Sequence, residues 1–249
     1  QTLAQLHDHR AAELELQTSP GAGSDAYVVT QSSFVRALTA LEQGEYAKAL
    51  PLLQSVDTAV AASTDLQSNF SSNPSCWLAL AEEWTGAPAA KVDADLARGG
   101  TLVDCYRFKA DISDHRGNWP LAQQQYAAAV ALAPSIPSSY YSWGEALARH
   151  GDLDGAIARF TEANQRGPHW ADPLKSRGDA LAARHDDKAA LQEYEHAEEY
   201  APNWAQLHLS WGRALDRLGR HERAVEQYRK ALDQDLTEAE RKSLQGCCG

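Results

Sequence analysis

The chain has 249 residues, 43% of them hydrophobic and 23% charged, which is enough apolar material for a sizeable core and too balanced for a disordered or collagen-like sequence. Lysine and arginine number 23 against 34 acids, a formal net charge of −11, which disfavours a nucleic-acid phosphate backbone or an anionic membrane surface as the main partner. No apolar run approaches the roughly 20 residues that a membrane span needs, so neither nucleic-acid binding nor membrane insertion is expected. There is no methionine, and Gln1 opens directly into a helix-like run from Thr2 to Leu16. The sequence is therefore expected to start inside a longer protein or after a processed leader. Residues 1–25 are read as that helix followed by the loop Thr18 to Asp25.

Residues 26–65 carry a weak helix-pair pattern from about Thr30 to Ser63, with Pro51 inside the expected second helix, where a kink or a late start is expected. Residues 66–102 begin with a polar loop, Asn69 to Ser75. An irregular helix pair follows, Trp77 to Trp84 and Ala89 to Ala97, joined by Gly86-Ala87-Pro88.

From Val103 the chain repeats with a period of 34: Gly144, Gly178 and Gly212 are one period apart, and Ala110 holds the same slot one period earlier. With this residue as position 8, position 20 is Ala122, Ala156, Ala190 and Ala224, and position 24 is Tyr126, Phe160, Tyr194 and Tyr228. Position 27 is alanine four times, and position 32 is Pro134, Pro168, Pro202 and then Leu236. Each unit shows two stretches of helical period around a turn such as His150-Gly151-Asp152, an α-hairpin. Small residues at 8 and 20 let the paired helices approach, and the aromatic at 24 and alanine at 27 are expected to pack on the next hairpin. The proline at 32 ends the second helix, and Asp172-Pro173 reads as an N-cap followed by the first helical residue. The units run 103–136, 137–170, 171–204 and 205–236. In residues 237–249, Thr237-Glu238-Ala239-Glu240 is a capping box opening a short helix that covers the last repeat, followed by a tail.

Small at 8 and 20, aromatic at 24, alanine at 27 and proline at 32 resemble the tetratricopeptide repeat family, over Val103 to Leu236. Ala37, Gly44, Glu45, Tyr46 and Ala49 fit a degenerate copy upstream. The runs Val103 to Phe108 and Tyr140 to Leu147 also resemble uncharacterised bacterial proteins of this family. The resemblance implies an all-α solenoid of α-hairpins in a right-handed superhelix. It further implies that positions 5, 9 and 13 of each first helix line a concave groove, which singles out Arg107, Asp111, Tyr141, Glu145, Lys175, Asp179, Arg213 and Arg217 as a peptide-binding set. Family members that clamp a chaperone C-terminal carboxylate carry asparagine at 9 with lysine at 5. Here position 9 is Asp111, Glu145 and Asp179 in three repeats, which argues against that clamp.

The chain offers little for catalysis. No phosphate-binding loop, HExxH, GxSxG or zinc-ribbon spacing occurs. Gly21-x-Gly23-x-x-Ala26 lacks the strand that a dinucleotide site needs and reads as loop. His7 and His9, two apart on a helix, point to different faces and read as solvated. Trp143 and Trp211 at position 7 and Trp170 and Trp204 at position 34 recur in register and read as packing. Asp186-Asp187 and Glu198-Glu199 read as solvated surface. The four cysteines include no C-x-x-C pair. Cys76 and Cys105 read as free buried thiols that touch, the alternative being a disulfide clamping the irregular pair to the first regular repeat; Cys247-Cys248 reads as a frayed tail.

These readings favour a non-enzymatic scaffold that binds a protein or peptide, with no catalytic residue, metal or cofactor. The alternative is a regulatory or self-associating segment of a larger protein, with homo-oligomerisation through the solenoid ends left open. A cytoplasmic location is favoured, and a periplasmic or secreted one if Cys76 and Cys105 are joined.

Overall fold

A computed structural model describes residues 26–69, 73–100, 103–234, 236, 241, 242 and 244, and every regular element among them is an α-helix. The expected N-terminal helix, the Gly21-Gly23 loop, His7 and His9, the capping box and Cys247-Cys248 lie outside the described residues. The described helices fall into two packing units divided between Ala133 and Pro134.

In the first unit, α1 (Ala26–Glu42) pairs with α2 (Tyr46–Ala62), and a short α3 (Thr64–Asn69) follows. No late start occurs at Pro51: α2 begins at Tyr46 and carries the proline in its interior. The irregular pair is α4 (Pro74–Trp84) and α5 (Ala89–Arg98), and the first regular hairpin is α6 (Val103–His115) with α7 (Trp119–Leu132). Asn73 caps α4, accepting a 3.0 Å hydrogen bond from the Ser75 backbone N–H, and Pro74 takes the first helical position. Trp77 joins the apolar groups of this unit, with its ring edge-on to both Phe34 at 6.1 Å and Phe108 at 4.5 Å.

The free-thiol reading of Cys76 and Cys105 gives way to a disulfide, with the Cα atoms 5.3 Å apart. The physical reason lies in α5, a helix of only 10 residues, beside which α6 packs against α4. Gly99, at the end of α5, lies on the bridge, where an added Cβ would collide with both sulfurs. Two buried acids, Asp57 and Asp95, tie the same corner together through an exposed arginine. The Arg98 guanidinium donates to Asp57 at 2.8 Å and to Asp95 at 2.7 Å, and the Ser75 hydroxyl donates to Asp57 at 2.7 Å.

The second unit stacks three hairpins, α8 (Pro137–Arg149) with α9 (Leu153–Arg166), α10 (Ala171–Ala183) with α11 (Asp187–Tyr200), and α12 (Ala205–Arg217) with α13 (His221–Leu232). The aromatic at position 24 packs on its own hairpin rather than only on the next. A Cβ added at Gly144 would come within 2.6 Å of the Phe160 ring, one at Gly178 within 2.5 Å of Tyr194, and Gly212 meets Tyr228 in the same way. The hairpin turns need a left-handed residue, which is Gly151 at φ 81°, Gly219 at φ 71° and, where glycine is absent, His185 at φ 64°.

Second helices are capped by Asp152, which accepts from the Gly155 N–H at 2.9 Å, and by Asp186, which accepts from the Ala189 N–H at 3.3 Å. Asp186 is thus a cap rather than merely solvated. The start of α10 falls at Ala171, one residue ahead of the expected Asp172 cap, with Trp170 in the cap position. Neighbouring hairpins are pinned by Arg184 on Asp154 at 2.5 Å and by Arg217 on Asp187 at 2.6 Å. The carbonyls of the period prolines accept too: Tyr140 donates to that of Pro134, and His208 Nε2 bonds that of Pro202. Leu244, only 4% exposed, joins the core formed by Leu207, Leu215, Tyr228 and Ala231.

Candidate binding face

Residues four apart on a helix share a face, so positions 5, 9 and 13 of each first helix form one stripe. In the second unit α8, α10 and α12 are neighbours and place these stripes side by side. The members differ sharply in how far the fold already uses them.

On α6, in the first unit, the Arg107 guanidinium is largely buried, 4.1 Å from the Phe108 ring centroid and 5.6 Å from that of Trp77. It lies 3.6 Å from Asp104 and 3.9 Å from Asp111. Asp111 accepts a hydrogen bond from the Tyr126 hydroxyl of its own hairpin.

On α8, Tyr141 is half-buried, its ring 4.8 Å from Trp170 and 5.8 Å from Phe160. Burial, then the charges of Glu145 and Asp172, push its hydroxyl well above the ordinary phenol range. Glu145, one turn on, is held above the ordinary carboxylate range by burial, with the Ser176 hydroxyl and Lys175 offsetting only part of that effect. It forms no ion pair with a described residue, although Lys175 and Arg149 influence it at longer range.

On α10, Lys175 pairs with Asp179 at 2.7 Å and lies 5.5 Å from the Trp204 ring centroid. Asp179 also accepts from the Tyr194 hydroxyl at 2.8 Å. On α12, position 5 is Leu209, which is buried. Arg213 is exposed and makes no hydrogen bond or ion pair with any described residue. Arg217 is taken up by a two-pronged contact to Asp187 of the preceding hairpin, at 2.6 and 2.9 Å.

The structure thus brings Tyr141, Glu145, Lys175 and Asp179 together and commits Arg217 to the junction between hairpins. Trp170 and Trp204, which the sequence assigns to packing, also border this face, their rings beside Tyr141 and Lys175. Their recurrence one period apart, each just ahead of a first helix, was the available signal. Among the described residues no three His, Cys, Asp or Glu side chains gather as a metal set, and no helix is long and apolar enough to cross a membrane.

Helix pairs stacked in sequence with a small residue facing an aromatic, repeated every 34 residues, define an α-hairpin repeat architecture. Residues 115–169 match the model of the tetratricopeptide repeat family. A chain of the APC/C hetero-tetramer Cut9–Hcn1 superposes with a TM-score of 0.64 at 16% identity, over 90% of this chain and 45% of that one. The crystal structure of MamA aligns at 17% identity and a TM-score of 0.49, over 83% of this chain and 96% of its own. No curated protein matches the sequence.

Proposed function

We propose that the chain is a non-enzymatic scaffold that holds an extended segment of a partner protein against the first-helix face of the second unit. The observation that carries this reading is the contrast along that face. Tyr141, Lys175 and Arg213 keep reachable surface on helices whose other sides are packed, and Trp170 and Trp204 add aromatic walls. Rigid aromatic groups with a few placed charges are the ingredients of peptide recognition. The repeat type and the superposition on a chain of the Cut9–Hcn1 assembly support a protein partner. Arg107 and Asp111 form the corresponding patch of the first unit, and self-association of the chain is the competing use of these surfaces. The face holds no converging nucleophile, base and oxyanion site, which supports binding rather than catalysis.

The test is a peptide array probed with the full chain and with a Tyr141→Ala, Lys175→Ala double variant of equal helicity by circular dichroism. Loss of the peptide signals in the variant is the expected result. Equal binding by both would move the contact to another surface.

A further inference from the structure

Position 9 of each first helix has one of two fates, decided by the acceptor that the position-24 aromatic uses. Where position 24 is tyrosine and position 9 aspartate, the hydroxyl takes the carboxylate: Tyr126 donates to Asp111 and Tyr194 to Asp179. Those acids are parts of the fold. In the α8–α9 hairpin position 24 is Phe160, which has no hydroxyl, and position 9 is the longer Glu145, free of that bond and directed instead toward Ser176 of the next first helix. In the α12–α13 hairpin Tyr228 donates at 2.7 Å to Asp216, three residues further along α12, and this releases position 9 for Arg213. Asp216 accepts from His221 as well, and these two hydrogen bonds hold its carboxyl below the ordinary range although burial alone would raise it.

The face therefore carries one partly buried acid, Glu145, whose described partner is the neutral Ser176 hydroxyl and which forms no ion pair with a described residue, and one exposed cation, Arg213, on either side of the internally neutral Lys175–Asp179 pair. The geometry points to a polar ligand orientation, and this inference rests on the groove reading above. We propose that Glu145 and Arg213 select an extended peptide whose lysine or arginine sits at Glu145 and whose aspartate or glutamate sits at Arg213. The cationic side chain would lie beside the Tyr141 and Trp170 rings, whose faces attract cations. The anionic one would meet a guanidinium able to bind it in two-pronged fashion. Helices in contact lie about 8–10 Å apart, which puts Glu145 and Arg213 about 16–20 Å apart across α10. An extended chain at about 3.3 Å per residue covers that in about five or six residues. The ligand class is thus a segment with a basic and an acidic residue at that separation and in one order.

The experiment is selection of a random dodecapeptide display library on the full chain, followed by fluorescence-anisotropy titration of the selected peptides. The wild type should select a basic and an acidic residue about five or six apart in a fixed order. The charge-exchanged chain, Glu145→Arg with Arg213→Glu, should select the reverse order. Glu145→Gln, which needs no repacking of charge, should weaken the wild-type peptide about fivefold, the upper end of the range for a solvent-accessible ion pair. It should also abolish the effect of replacing that peptide's basic residue by alanine. Peptides lost with the Tyr141→Ala, Lys175→Ala double variant but unmoved by both charge variants would keep the groove and overturn the polarity. A library that yields no peptide, or peptides indifferent to the double variant, would overturn the groove reading itself.

Discussion

The Tyr194 hydroxyl donates a 2.8 Å hydrogen bond to Asp179, so an acid on the outer stripe of a first helix is also a strut between the two helices of its hairpin. Tyr194→Phe removes that strut and leaves the ring in place, the arrangement that Phe160 already shows one repeat earlier. The expected cost is about 1 kcal/mol, read as a lower urea midpoint at unchanged slope. An unchanged midpoint would mean that the bond contributes nothing net.

Gly178 faces the same ring, with a Cβ site only 2.5 Å from Tyr194 Cε1. Gly178→Leu should destabilise the second unit by about 1–3 kcal/mol or more through overpacking, and Gly178→Ala by less. A melting transition of the leucine variant equal to that of the wild type would refute this packing.

The 34-residue spacing made the hairpins legible because identical demands for a small residue, a ring and a helix stop recur at each one. The use of the acids was less visible, since the hydroxyl and carboxylate that pair are 15 residues apart on different helices. A signal did exist: aspartate at 9 accompanies tyrosine at 24 in Asp111/Tyr126 and Asp179/Tyr194, and both change together in Glu145/Phe160. The Cys76–Cys105 bond was legible only as the alternative to two touching free thiols, because the choice depends on how a short, irregular α5 lets α6 approach α4. Nor did sequence spacing show that Arg217 would be drawn to Asp187 of the preceding hairpin.

The disulfide joins α4 of the irregular helix pair to α6 of the first regular hairpin, neither of which has a glycine–aromatic contact of the kind seen at Gly144, Gly178 and Gly212. With four cysteines and one bond, thiol counting on denatured, unreduced protein should find no more than two free. Cys76→Ala with Cys105→Ala should lower the stability of the first unit by about 2–4 kcal/mol. Four titratable thiols would contradict the bond.

Glu145 sets a pH dependence. Burial raises its carboxyl in the folded chain above the ordinary range that it has when unfolded. Between the ordinary range and the raised one the native state keeps a proton that the unfolded state has lost, so this group's contribution to stability is present at lower pH and falls as pH rises through that window. Glu145→Gln should flatten this part of the stability–pH curve and raise stability above it. A steeper loss in the variant would contradict the assignment.

The most direct test of the binding face is hydrogen exchange of the full chain with and without its tightest array-selected peptide. Added protection should concentrate in α8, α10 and α12, around Tyr141, Lys175 and Arg213. Protection confined to α9, α11 and α13, with the first helices unchanged, would contradict the account.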